Sequence, residues 1–294
     1  MDSPSPQKIA VTAHPALPGA RELTEEIVHF LEKECVEAKL YDSIFNEELR
    51  QHAGNGKLDM LVAAGGDGTM IRAGHLCAPL NLPIIGINLG SFGFLPEVEP
   101  DNWQEMLLKA LKGEYRLEKR MMLRVELRSG EESSQDEVLD TWHVLNEVIV
   151  CRGWYVRPIH IEAFVDGYHL ATYIADGLIA STPTGSTAYA LAVGGPIMPP
   201  ELRNILIIPV AAHLTVDRAV ILSQGARVVI KAHADDNVVL SIDGQPPVRM
   251  NVSDYVYVQA DEHSVSFVRF QDEGYFYRNI TRYMERNPAT LKHL

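Results

Sequence analysis

The stretch "KLDMLVAAGGDGTMI", residues 57–71, decides the fold. Its first half is a continuous apolar run that ends at glycines, the pattern of a strand buried on both faces. Gly65 and Gly66 then permit a sharp turn, because glycine tolerates positive φ. "MIRAGHLCAPL" follows as a helix that starts at this turn. Asp67 projects from the carboxyl end of the strand, where open α/β sheets bind ligands. Backbone N–H groups at such a turn also suit a phosphate. A carboxylate beside phosphates has two sensible tasks, holding a metal ion or accepting a proton from an attacking hydroxyl. The motif is neither the Walker loop, which ends in GK[ST], nor the GxGxxG dinucleotide fingerprint. On its own it also reads as a tight turn with an aspartate cap.

The same grammar extends outward. "QKIAVTAH" is a short β-like run, and "RELTEEIVHFLEKE" places Leu23, Ile27, Phe30 and Leu31 on one helix face. "LPIIGINLG" is a second buried strand. "PDNWQEMLLKALKGEY" is a helix, with Asp101 as its N-cap, Gln104 three residues on and Gly113 as its stop. Strands and helices in alternation describe a parallel, Rossmann-like α/β domain over residues 1–116. From about residue 117 the texture changes to short β-rich runs, many separated by Gly, Asp and Pro. Residues 117–270 therefore read as a β-sandwich-like domain, with "EESSQDEVLD" as an exposed acidic loop. The segment 271–294 reads as a helix returning to the first domain.

Composition narrows the function. The chain has 294 residues and a net charge of −13, which repels nucleic-acid backbones and anionic lipid surfaces. No 18-residue apolar run is present, so neither nucleic acid nor membrane is expected as a partner. Cys35, Cys77 and Cys151 form no CxxC pair and read as reduced, buried thiols of a cytoplasmic protein. His14, His75 and His213 lack HxH or HExxH partners and read as packing or surface residues.

Four further segments carry candidate chemistry. In "INLGSFGFLPE" (87–97), Gly90 and Gly93 flank Phe92, an aromatic available for stacking, although a plain strand-end turn fits equally. In "VLNEVIV" (144–150), Asn146 and Glu147 interrupt an apolar strand. A buried carboxylate needs hydrogen bonds, and a vicinal diol supplies two; an edge position facing water is the alternative. "DGLIASTPTGSTAYALAVGGP" (176–196) is unusually rich in hydroxyls and glycines, and "STAYALA" would start a helix with Ser186 or Thr187 near its N-cap. In "SIDGQPP" (241–247), Asp243-Gly244 is a hairpin turn and Gln245 a possible base contact.

Together these segments resemble the NAD kinase family. The matching pieces are "GGDGT" (65–69), "GINLGSFGFL" (86–95), "LNE" (145–147), "DGLIASTPTGSTAYALAVGGPI" (176–197) and "DGQ" (243–245), in the family's order. GGDGT is shared with lipid kinases, whereas TPTGSTAY with LNE is specific. The resemblance implies an N-terminal α/β domain, a C-terminal β-sandwich, ligand at their junction, and a homo-oligomer, dimer or tetramer. It implies transfer of a phosphoryl group from ATP, with Mg²⁺, to the 2′-hydroxyl of the adenosine ribose of NAD. By position, Asp67 resembles the general base and Gly68 lines the same site. Asn146 and Glu147 resemble the pair that holds ribose hydroxyls. Asp176, Thr184, Thr187, Ala188, Tyr189, Ala190, Leu191 and Ala192 resemble dinucleotide contacts, with Gln245 beside them. Arg72 and Arg157 stand as basic contacts for phosphates. Ala192 replaces a serine of many relatives, and Ala219 follows Arg218 where proline is usual. A lipid kinase sharing GGDGT, and a silent NAD(P)-binding module, are the competing readings.

Overall fold

The computed structural model describes residues 5–90, 93–130, 136–153, 157–212, 217–233 and 238–285. The chain divides into two compact units: residues 1–119 with 264–294, and residues 120–263.

The first unit opens with β1 (Lys8–Ala13), α1 (Ala20–Lys33), β2 (Glu37–Tyr41), α2 (Glu47–Gly54), β3 (Met60–Gly65), α3 (Asp67–Cys77), β4 (Ile84–Asn88) and α4 (Trp103–Leu111). The strands lie in the parallel order β2-β1-β3-β4. Every residue of β3 and β4 is buried, as their unbroken apolar runs require. Helix α1 buries Thr24, Ile27 and Leu31, and α4 buries Trp103, Leu107 and Ala110, against this sheet. Both helices expose a charged face, so their spacing alone sets their orientation. Asp101 is not the cap of α4; Asn102 occupies that position. Gly113, at φ 74°, lies just beyond the helix end.

The second unit takes up β5 (Arg116–Ser129) after its first residues and continues with β6 (Glu137–Val144), β7 (Glu147–Arg152), β8 (Ile159–Val165), β9 (Tyr168–Ala175), β10 (Gly177–Ser181), α5 (Tyr189–Ala192), β11 (Asn204–Val210), β12 (Val220–Ser223), β13 (Val228–His233), β14 (Val238–Ile242), β15 (Val248–Met250) and β16 (Asp254–Arg269). One antiparallel sheet runs β12-β11-β10-β7-β14-β15. In a second layer β13 pairs with both β8 and the start of β16, and β8 with β9. Inward residues of both layers form one core, among them Val148, Val150, Leu178, Ala180, Ile161, Val228 and Ile230. The intervening Ile149 and Ile179 point the other way, into a smaller cluster with Ala190 and Met198. Strand β10 is therefore buried on both faces. The run read as a loop at 131–140 is strand from Glu137 onward, and residues 131–135 lie outside the described residues.

The end of β16 belongs to the first unit, where Phe267 pairs parallel with Ile84 of β4. Helix α6 (Tyr275–Glu285) follows in the same unit. Arg269 is buried there and donates to Glu118 Oε1 at 2.9 and 3.0 Å. Buried charges persist when paired in this way. No helix among the described residues is long and apolar enough to cross a membrane.

Candidate functional site

Two groups of residues carry the chemistry, one in each unit. In the first unit the strand-to-helix turn puts Asp67 at the first position of α3. The cap residue, Gly66, has no side chain with which to bond the first-turn N–H groups, so this helix start suits an anion. Two backbone donors hold the Asp67 carboxylate: Phe94 N–H reaches Oδ2 at 3.1 Å and Leu95 N–H reaches Oδ1 at 2.9 Å. Gly93 makes the approach possible. A Cβ there would come within 2.4 Å of Asp67 Oδ1. Arg72 folds back one turn and donates to the Gly68 carbonyl at 3.0 Å, leaving its guanidinium exposed beside the helix start. Phe92 lies outside the described residues.

In the second unit "VLNEVIV" is not one strand. The chain bends at Leu145 and Asn146, between β6 and β7, and Glu147 is the first residue of β7. The cause lies about a hundred residues away. Asp243 Oδ2 accepts Leu145 N–H at 2.8 Å, and Oδ1 accepts Asn146 N–H at 2.8 Å and Glu147 N–H at 3.0 Å. Asp243 and Gly244 both adopt positive φ in the turn after β14, which aims the carboxylate at that bend. From the other side, Thr182 Oγ1 donates to the Leu145 carbonyl at 2.6 Å and Thr182 N–H to the Asn146 carbonyl at 2.8 Å.

Alternation along β7 sends Glu147, Ile149 and Cys151 to one face. They line a cavity of about 490 Å³ together with Arg152, Asp176, Tyr189, Ser241, Asp243 and Gly244, a size usual for small-ligand sites. Glu147 is 9% exposed, and its buried Oε2 has no hydrogen-bond partner. Burial, and then the neighbouring Asp243 charge, push its carboxyl up to about 8. Opposite, Arg152 Nη2 donates to Asp176 Oδ2 at 2.9 Å.

The hydroxyl-rich segment does not form the longer helix its sequence suggests. Residues 185–187 make a single 3₁₀ turn, and α5 spans only four residues. The hydroxyls bond backbone instead: Ser186 Oγ donates to the Pro183 carbonyl at 2.6 Å and Thr187 Oγ1 to the Thr184 carbonyl at 3.0 Å. Thr184 is buried and accepts from Arg120 Nη1 at 3.3 Å. Ala190 is fully buried in the cluster behind the cavity, Leu191 is half-buried, Ala188 lies just before α5, and Ala192 is exposed at its end. Gln245 is exposed beyond the turn. Arg157 is exposed and does not line the cavity. The arginine that does is Arg152, which follows the apolar run of β7 and carries no motif signal. Asp243 was legible only as a turn residue. Arg120 has no signal in the sequence at all. Of the three thiols, Cys77 is buried, Cys151 partly buried and Cys35 exposed, so the reading of three buried thiols fails at Cys35.

Comparison with known proteins adds an independent line. Residues 30–115 match the ATP-NAD kinase N-terminal domain and residues 145–270 the ATP-NAD kinase C-terminal domain. The chain is 35% identical over 276 residues to an NAD kinase of Geobacter metallireducens, covering 92% of this chain and 95% of that protein. It is 34% identical over 282 residues to an NAD kinase of Moorella thermoacetica, covering 92% and 87%. Its fold is similar to that of yeast NADH kinase complexed with NADH, with a TM-score of 0.80 and 24% identity over 96% of this chain and 88% of that one. An NAD kinase from Archaeoglobus fulgidus in complex with ATP gives a TM-score of 0.75 and 25% identity, covering 95% of this chain and all of that one.

Proposed function

This chain belongs to the ATP-NAD kinase family, and from that membership and its site chemistry we propose that it is a phosphotransferase acting on NAD. It transfers the γ-phosphoryl of ATP to the 2′-hydroxyl of the adenosine ribose, giving NADP and ADP. The observation that carries the residue assignment is the buried Glu147 with an unpartnered carboxylate oxygen in a small-ligand cavity. An orphaned buried acceptor costs free energy until a ligand donor satisfies it, and ribose hydroxyls are such donors. Asn146, the residue before Glu147 on the bend that Asp243 holds, would supply a further hydrogen-bonding group to them. Tyr189 offers a ring face, and the Asp176–Arg152 pair a polar edge, to the rest of the dinucleotide.

Asp67 takes the proton of the 2′-hydroxyl as its oxygen attacks the γ-phosphorus. A P–O bond to the ribose forms, the P–O bond to the β-phosphate breaks, and ADP leaves. The two N–H donors from Phe94 and Leu95 fix the carboxylate's direction, so no reorientation is needed during transfer. The α3 N-terminus and the Arg72 guanidinium offset phosphate charge. A Mg²⁺ carried by ATP would neutralise charge on the phosphoryl oxygens beside the α3 N-terminus, leaving the Asp67 carboxylate to take the proton.

The three cysteines carry no disulfide, which accords with a reducing, cytoplasmic setting. Incubating the chain with ATP, Mg²⁺ and NAD tests the proposal: NADP forms, and its absence would overturn the reading.

A further inference from the structure

The second unit also holds a cluster of side chains that belongs to neither residue group described above. His143 on β6 faces Asp261 and His263 on β16, and one ligand atom of each lies within 4.8 Å of the others. Among the described residues no other three His, Cys, Asp or Glu side chains meet in this way. His143 Nδ1 is 2.5 Å from Asp261 Oδ2, and the backbone N–H of His263 donates to Asp261 Oδ1 at 3.0 Å. The two imidazole rings stand 5.2 Å apart between centroids, at 65°.

The charge balance of the cluster is unusual. The Asp261 side chain is only 1% exposed. Among the described residues no lysine or arginine pairs with it. A carboxylate taken out of water needs a compensating charge. The cluster thus sets one buried carboxylate between two imidazoles that are each partly open to solvent. Two nitrogens and one carboxylate oxygen form a donor set for a borderline divalent transition metal, not for a hard ion such as Mg²⁺.

We propose that His143, Asp261 and His263 form a binding site for a divalent transition metal of the zinc class, with water at the fourth position. The ion takes the place of the proton between His143 and Asp261. Ligand bonds of about 2.0–2.2 Å at tetrahedral angles set donor atoms about 3.3 Å apart. The His143 and Asp261 atoms must therefore separate by a little under about 1 Å. Among the described residues His143 sits on a strand, β6, that pairs with β5 alone, and its side chain is 38% exposed, so it has room to move. The bound ion ties this edge strand to β16.

The test uses the full chain without an affinity tag, stripped with chelator. Cobalt(II) is titrated without nucleotide and read by the visible bands of four-coordinate cobalt, and zinc affinity is measured against a chromophoric chelator. The site predicts one equivalent bound, affinity at least about tenfold weaker in His143→Ala and in His263→Ala, and a zinc-dependent rise in Tm that His143→Ala loses. NADP formation by the zinc-free variants, assayed with ATP and Mg²⁺, stays at the wild-type rate, which shows them folded. No binding, or binding unchanged in both variants, would overturn the proposal.

Discussion

Asp243 holds Glu147 in place through the backbone: its Oδ1 accepts the Glu147 N–H at 3.0 Å while its charge lies close enough to resist ionisation of the Glu147 carboxyl. One side chain thus shapes the bend and tunes the group that the bend presents. Asp243→Ala leaves the N–H groups of Leu145, Asn146 and Glu147 without this acceptor. We expect a loss of about 2–3 kcal/mol in urea unfolding and NAD binding at least about tenfold weaker by calorimetry. Loss of stability with unchanged NAD affinity would separate this turn from the ligand site.

The Glu147 carboxyl ionises at about 8 in the fold, against 4.5 for an unperturbed glutamate. The unfolded chain therefore loses this proton first as pH rises. The group's contribution to stability is full below 4.5, declines between 4.5 and 8, and is level above 8. Glu147→Gln removes the decline, so the ligand-free variant is more stable than wild type by about 1–3 kcal/mol above that window. Denaturant titrations at several pH values check it, and a wild-type-like pH slope in the variant would contradict it.

The same shift predicts how NAD binds. Ribose hydroxyls donate to the ionised carboxylate more strongly than to the acid. NAD affinity should rise toward pH 8 and flatten above it, with proton release below 8 seen in buffers of different ionisation heat. In Glu147→Gln the affinity is weaker and pH-independent over this range. Equal affinity in the two proteins would remove Glu147 from the ribose contact.

Asp67→Asn keeps the shape but cannot take the proton, and turns an amide NH₂ toward one of the two N–H donors from Phe94 and Leu95. Turnover falls by at least about 10²-fold, stability by about 1 kcal/mol, and NAD still binds. Near-normal turnover would end the general-base assignment.

Gly93→Ala tests positioning without touching the carboxylate. The new Cβ would sit 2.4 Å from Asp67 Oδ1, so Asp67 or the 93–95 backbone must move. Displacements near about 1 Å in such sites cost on the order of 10²-fold in rate. We expect kcat to fall at least about tenfold while NAD affinity holds. A variant with wild-type kcat would show that Asp67 tolerates displacement.

The fold was legible where burial leaves its mark on composition. The strands β3 and β4 are unbroken apolar runs, and α1 and α4 show clean periodicity, so the parallel sheet and its helices follow from local pattern. The β-rich second half was legible as a class for the same reason. What failed was set by distant partners. The bend at Asn146 depends on a carboxylate at residue 243, and the Asp67 cradle on N–H groups at 94 and 95. Nothing near residue 146 or 67 encodes those contacts. The 3₁₀ turn at 185–187 wins over a longer helix because Thr182, Ser186 and Thr187 bond the backbone. Arg157, the basic contact that the resemblance offers, is exposed and off the cavity, while the Asp176 pair brings Arg152 to it although it falls out of phase with the alternation of β7.

The central claim is that Asp67 activates a ribose hydroxyl of NAD and not water. The most direct measurement is phosphate release and NADP formation from ATP and Mg²⁺ in three parallel reactions: with no acceptor, with an NAD analogue lacking the adenosine 2′-hydroxyl, and with NAD. The account predicts rapid NADP formation with NAD, no phosphorylated product from the analogue although it binds, and only slow phosphate release in the first two reactions. ATP hydrolysis without acceptor as fast as NAD phosphorylation, or a phosphorylated analogue, would contradict it.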